Sequence, residues 1–170
     1  MLDNLVCKYK VEEHDLVKES FLTLFEYADQ TKKSKRIGNL VTDYFSSFEN
    51  GQPAYAQLAE QVLQKYIATH LNKCRINARK INMLWWFNQY YKNGEHEWHI
   101  HGNTSFALVY FVELPHNELG TQLYGIDLPV EEGDVLLFPG IIPHRSAPNK
   151  FDQRKSSLVA NISAADANII

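Results

Sequence analysis

His99-Ile100-His101 places two imidazoles at alternate positions of a segment whose surroundings favour extended chain. Successive strand side chains point to opposite faces, so His99 and His101 share a face and their ring nitrogens can meet one ion. A third imidazole, His144 of the Pro143-His144 step, is available from a distant part of the chain. Imidazole suits iron, zinc, copper and nickel, and three protein ligands that leave positions open describe a catalytic metal, whereas a structural zinc site is closed by four. Beyond His144 comes Arg154-Lys155-Ser156-Ser157, whose cations could hold an anionic co-substrate beside such a metal. His96 has the opposite strand parity and reads as a surrounding or exposed residue, while His14, His70 and His116 are scattered. Glu97 shares the parity of His99 and is a carboxylate that could serve as a ligand instead.

These residues must be positioned by two kinds of element, because the hydrophobic period changes near Asn72. Before it, Val17, Phe21, Leu24, Phe25 and Ala28 form one helical stripe that Asp15 can N-cap. Leu40, Val41, Tyr44, Phe45 and Phe48 predict a second helix with a stop at Asn50-Gly51. A third begins near Pro53, with Tyr55, Leu58, Ala59, Val62, Leu63, Tyr66, Ile67 and Leu71 on its stripe. From Arg75 onward, β-branched and aromatic residues alternate with turn signals at Asn93-Gly94, Gly102-Asn103, Gly120, Gly125 and Glu132-Gly133-Asp134. Strands are predicted over Lys80 to Tyr91, His96 to His101, Phe106 to Leu114, Gln122 to Tyr124, Val135 to Phe138, Pro143 to Ser146 and Lys155 to Ile162. Short strands at this spacing suggest a sandwich or jelly roll, with the amphipathic helices covering one face of a sheet. The expectation is one domain over 1–170, with 1–72 as a helical part packed on the sheet and 73–170 as the core that carries the metal site.

The chain has 170 residues, enough for a core without disulfides or a structural metal. Its two cysteines, Cys7 and Cys74, show no CxxC pairing and suit a reducing, cytoplasmic compartment as neutral side chains. The segment from Met1 to Leu5 has no basic region before a long apolar run, and no stretch approaches the length of a membrane span. A net charge of -3, with Lys32-Lys33-Ser34-Lys35-Arg36 as the only basic cluster, argues against nucleic acid as a partner. That run reads as a solvated loop between helices. The glycines form no phosphate-binding loop.

Three segments carry a resemblance. Trp86-Phe-Asn88-Gln-Tyr90-Tyr91-Lys-Asn-Gly94, then His99-Ile-His101-Gly-Asn-Thr-Ser-Phe-Ala-Leu-Val-Tyr110-Phe-Val, then Gly133-Asp-Val-Leu-Leu-Phe-Pro139-Gly-Ile-Ile-Pro-His144, resemble the iron(II)/2-oxoglutarate-dependent oxygenases of bacteria and phages. The resemblance runs from Trp85 to Asn161 and leaves the helical part without a motif. It implies a double-stranded β-helix, a cupin-like jelly roll with helices outside the major sheet, in a mostly β protein with N-terminal α-helices. It further implies iron(II) on His99, His101 and His144, 2-oxoglutarate and O2 as co-substrates, release of succinate and CO2, and hydroxylation of a small-molecule or amino-acid-type substrate.

Most such enzymes have HxD or HxE where this chain has His99-x-His101. Three neutral imidazoles leave the iron its full charge, which a dianionic 2-oxo acid balances. The departure admits two alternatives: a three-histidine iron dioxygenase that does not use 2-oxoglutarate, and a non-catalytic cupin-like metal-binding module. The family's RxSxSxN pattern on the last strand, counted back from Asn161, puts Lys155 in the arginine's place and Ser157 in the first serine's. Strand parity sends Lys155, Ser157, Val159 and Asn161 inward and Leu158, Ala160 and Ile162 toward the helices. A bulge could instead turn Arg154 inward, where its bidentate fork would suit a carboxylate. Tyr91 matches a family tyrosine that donates to the same carboxylate, and Asn88 could donate to the co-substrate. Trp85, Trp86 and Phe87 are expected to fill the core.

Overall fold

The computed structural model describes residues 5–31, 33–49 and 51–169. Met1 to Asn4 of the N-terminal stretch, Lys32 of the basic run and Asn50 of the expected helix stop lie outside the described residues. The chain runs β1 (Cys7–Lys10), α1 (His14–Gln30), β2 (Lys35–Ile37), β3 (Leu40–Thr42), α2 (Tyr44–Glu49), α3 (Ala56–Lys73) and β4 (Ile76–Tyr90). It continues with β5 (His96–His99), β6 (Phe106–Glu113), β7 (Gln122–Leu123), β8 (Asp134–Pro139), β9 (His144–Ser146) and β10 (Lys155–Ile169). The strands form a seven-stranded antiparallel sheet in the order β1-β8-β6-β10-β4-β3-β2 and a three-stranded sheet in the order β5-β9-β7. This is the jelly roll, mostly β with helices in the first part, that the residue pattern implies.

The large sheet is buried on both faces, so its central strands read as continuous apolar runs rather than alternating ones. Phe106 to Val112 are all buried. Alternate residues divide between two cores. Trp85, Phe87, Leu108, Tyr110, Leu158 and Ala160 meet Phe21, Phe25, Ala59 and Leu63 of α1 and α3. Trp86, Val109, Phe111, Phe138 and Val159 face the other way, toward Leu123 of the small sheet and Ile142. Phe25 stacks on Phe87 at 4.8 Å, and truncating such a ring costs about 3–5 kcal/mol.

The N-terminal part departs from the helical expectation first at β1, Cys7–Lys10, which pairs with β8 at the edge of the large sheet. Leu40 and Val41 belong to a strand, not to a second helix, and α2 is a short element starting at Tyr44. The basic run is likewise not a loop between helices, since Lys35 and Arg36 lie in β2. The cause is Gly38-Asn39: Gly38 has φ +58° and closes a two-residue hairpin between Ile37 and Leu40, a turn that fits the twist of paired strands. Finally, α1 is capped by Glu13 without a side-chain bond, and Asp15 sits inside the first turn, where its charge still complements the helix dipole.

Candidate metal centre and anion chamber

β5 and β9 are neighbours, and His99 and His144 are direct cross-strand partners. Their rings lie 4.2 Å apart. His101 follows the end of β5, where its amide donates to Gly140 O at 2.7 Å. This close approach requires glycine at 140, because a Cβ there would lie 2.7 Å from His101 O and 2.5 Å from Thr104 Cγ2. The ring of His101 thereby lies 5.0 Å from that of His144. One ligand nitrogen from each of His99, His101 and His144 falls within 4.8 Å of the others.

The tautomers suit a metal. His99 Nδ1 lies 2.7 Å from Glu97 O and His144 Nδ1 lies 2.9 Å from Ile142 O. A carbonyl can only accept, so each Nδ1 carries a proton, the tautomer that in a neutral ring leaves the lone pair on Nε2. His101 Nε2 is 3.2 Å from His144 Nε2. Two nitrogens bound at right angles to one ion at about 2.1 Å stand about 3 Å apart. Burial, with the neighbouring imidazoles as a smaller contribution, lowers His101 to about 4 and His144 to about 3. Both are therefore neutral at physiological pH, the form that coordinates.

Two adjoining spaces share His99 and His101, and His144 lines one of them. That one, a narrow chamber, is lined by Asn88, Tyr90, Ser146, Lys155 and Ser157 as well as the histidines. Lys155 is 1% exposed. Its Nζ donates to Ser146 Oγ at 2.8 Å and sits 4.8 Å from the centre of the Tyr90 ring. Among the described residues no carboxylate lines the chamber, and burial lowers the amine to about 7. Ser157 Oγ is buried without a hydrogen-bond partner. A buried ammonium without a counter-charge and an unsatisfied hydroxyl are both costly, and a bound anion would relieve both. The second space, an apolar cavity of about 230 Å³, adjoins the chamber and shares Trp86, Asn88, His96, His99 and His101 with it.

His99, His101, His144, Lys155, Ser157 and Asn88 are thus brought together, while two further candidates are not. Arg154 points to the helix-covered face, where Nε and one terminal nitrogen reach Glu113 at 2.8 and 3.2 Å. A bulge sets this arrangement, but on β6 rather than β10. Ser156 pairs with Glu113 and Ser157 with Phe111, so the extra residue turns Glu113 out of the chamber and toward Arg154. Tyr91 lies beyond the end of β4 beneath Arg36, 5.0 Å from its guanidinium. The neighbouring Tyr90 lines the chamber in its place. His96 is exposed and stands beside the ligand group without joining it; a register shift puts it on the same face as His99 rather than the opposite one, with their rings stacked at 3.9 Å. Glu97 is exposed and meets His99 only through its carbonyl oxygen.

No protein-family model and no curated protein sequence matches the chain. Solved structures do match. A prolyl-4-hydroxylase from Pseudomonas putida superposes with a TM-score of 0.67 at 14% identity, over 95% of this chain and 96% of that one. A prolyl hydroxylase from Trichoplax adhaerens, solved with a hypoxia inducible factor oxygen degradation domain peptide, gives 0.67 at 11% identity over 95% and 84%. HygX from Streptomyces hygroscopicus, solved with nickel and 2-oxoglutarate, gives 0.66 at 11% over 95% and 83%. The chain has the jelly-roll fold of the 2-oxoglutarate-Fe(II) oxygenases, the family its His99-x-His101 and His144 pattern resembles.

Proposed function

We propose that this protein is an iron(II)- and 2-oxoglutarate-dependent oxygenase that hydroxylates a small-molecule or amino-acid-type substrate. The observation that carries the reading is Lys155, a fully buried cation with no counter-ion among the described residues, in a chamber that opens on the imidazoles of His99, His101 and His144. The donor set fits the cofactors. Three imidazoles suit iron(II), whose charge a dianionic 2-oxo acid balances, and Lys155 supplies a cation for the far carboxylate of that acid. Iron(II) with 2-oxoglutarate and O2 would supply the oxidising chemistry that couples decarboxylation to succinate and CO2 with hydroxylation of a C–H bond.

The chain's own residues supply position and exclusion. His99, His101 and His144 would hold the metal, with the Glu97 and Ile142 carbonyls fixing two of the rings. Lys155 and Ser157 would bind the far carboxylate, and Asn88, between chamber and cavity, would donate to the bound acid. The chamber is narrow, about 30 Å³, so the incoming diacid would lift the Lys155 ammonium from Ser146 and from the Tyr90 ring. Arg154 takes no part. A cytoplasmic setting suits Cys7 and Cys74, which are free thiols, and no helix among the described residues is long and apolar enough to cross a membrane.

The reaction test is succinate formation from 2-oxoglutarate with iron(II), ascorbate and oxygen, compared with His144→Ala protein. Succinate above that control supports the reading. Metal-dependent oxygen uptake without succinate would favour a three-histidine dioxygenase, and neither would favour a binding module.

A further inference from the structure

The apolar cavity beside the chamber selects a chemistry. Ile37, Phe45 and Ile100 are three of the large apolar side chains exposed by more than 40%, and all three line this one cavity. Leu40, Tyr44 and Trp86 complete its apolar wall, and among the described residues no carboxylate lines it. At about 230 Å³ it accommodates a single ring or a short branched chain.

Its rim carries a charge. Lys35 pairs with Thr42 and Ile37 with Leu40 across the β2–β3 hairpin, and cross-strand partners share a face. Ile37, Leu40 and Thr42 all line the cavity, so Lys35 stands on the cavity's face. Its Nζ lies 4.7 Å from the centre of the Phe45 ring, itself part of the wall. Arg36 alternates to the opposite face, where its strand partner Val41 joins the helix-side core. Neither Lys35 nor Arg36 forms an ion pair among the described residues. Of the hairpin residues on this face, Lys35, Ile37, Leu40 and Thr42, Lys35 is the cation, and it stands beside the Phe45 wall of the cavity that the histidines also line.

We infer that the substrate is a small apolar acid, a ring or branched hydrocarbon body held between the β2–β3 hairpin and Trp86, with its carboxylate on Lys35. This rests on the oxygenase reading of the same site and adds to it the class of molecule oxidised. The oxidised carbon then belongs to the apolar body at the histidine end, away from the carboxylate. The basic run that the reaction itself does not use is thereby given a role in recognition.

Binding can be measured without turnover. Calorimetric titration of the full chain would use 3-phenylpropionate, 3-phenylpropan-1-ol and 3-phenylpropylamine, each with and without saturating 2-oxoglutarate. The acid is expected to bind about two- to fivefold tighter than the alcohol at low salt, the range set by one partly exposed charge pair, with the amine weakest and the gap closing in high salt. Lys35→Glu should exchange the order of acid and amine, and the uncharged Ile37→Asn should weaken all three; both positions are exposed on an edge strand and can be changed without loss of core. Lys155→Met and 2-oxoglutarate should leave the order unchanged, because they act in the other chamber. Equal binding of acid and amine, an unchanged order in Lys35→Glu, loss of the preference in Lys155→Met, or competition from 2-oxoglutarate would overturn the inference. So would an acidic peptide that binds when none of the three probes does. Absence of succinate with this binding pattern intact would count against the reaction and not against the cavity's selectivity.

Discussion

Replacing Lys155 by methionine should make the ligand-free protein more stable and the co-substrate bind worse. Lys155 has no carboxylate partner among the described residues, and burial lowers its amine from 10.5 to about 7. That difference corresponds to roughly 5 kcal/mol of destabilisation of the charged form in the folded state, an upper figure for a side chain that keeps its bond to Ser146. The sign follows from proton counts. Between pH 7 and 10.5 the unfolded chain holds the proton and the folded chain does not, so this residue's penalty is largest below pH 7 and disappears as pH rises through that window. Methionine fills similar volume without charge, and replacing a buried ion by an apolar group commonly stabilises by about 1–4 kcal/mol. Urea unfolding at pH 6.5 and 9.5 should therefore show Lys155→Met more stable at the lower pH, with most of the difference gone at the higher. Calorimetry should show 2-oxoglutarate binding weakened by about 2–5 kcal/mol. A variant that is less stable at pH 6.5, or one that binds 2-oxoglutarate as well as the parent, would refute the unpaired-cation reasoning.

Three further outcomes follow from the same geometry. His99→Ala, His101→Ala and His144→Ala should each lower iron(II) affinity by more than about 100-fold in anaerobic titration, and His96→Ala by less than tenfold, since it only stacks on His99. The dissociation constant of 2-oxoglutarate should be flat between about pH 5 and 7, where His101 and His144 are neutral and Lys155 is charged, and should rise by about tenfold per pH unit above 7 as the amine of the free protein loses its proton. Arg154→Ala should cost about 1 kcal/mol in denaturant unfolding through its Glu113 pair while leaving 2-oxoglutarate binding unchanged; weakened binding would mean that β10 is shifted by one residue from the register described.

The site was legible where a rule of period applied. Parity alone separated Lys155, Ser157 and Val159 from Leu158 and Ala160, because β10 pairs with β4 in an unbroken register over these residues. It failed where the backbone leaves the regular ladder. The shift between His96 and His99 that stacks the two rings, and the extra β6 residue that takes Glu113 out of the chamber, leave no mark in composition. Tyr90 and Tyr91 differ by a single position, and only the end of β4 decides which one faces the chamber. The β2–β3 hairpin did have a signal: Gly38-Asn39 between apolar residues is a known two-residue turn. The helical period of Leu40, Val41, Tyr44, Phe45 and Phe48 masked it, since the same residues satisfy a short helical stripe. Missing that hairpin also hid the apolar cavity, because Ile37, Leu40 and Thr42 reach the histidines only from a strand.

The most direct measurement is an anaerobic crystal structure of the protein with iron(II) and 2-oxoglutarate. The account predicts one ion on the Nε2 atoms of His99, His101 and His144, with the far carboxylate of the diacid on Lys155 Nζ and Ser157 Oγ. An ion held by Glu97, or a diacid that leaves Lys155 bonded to Ser146 as it is now, would contradict it.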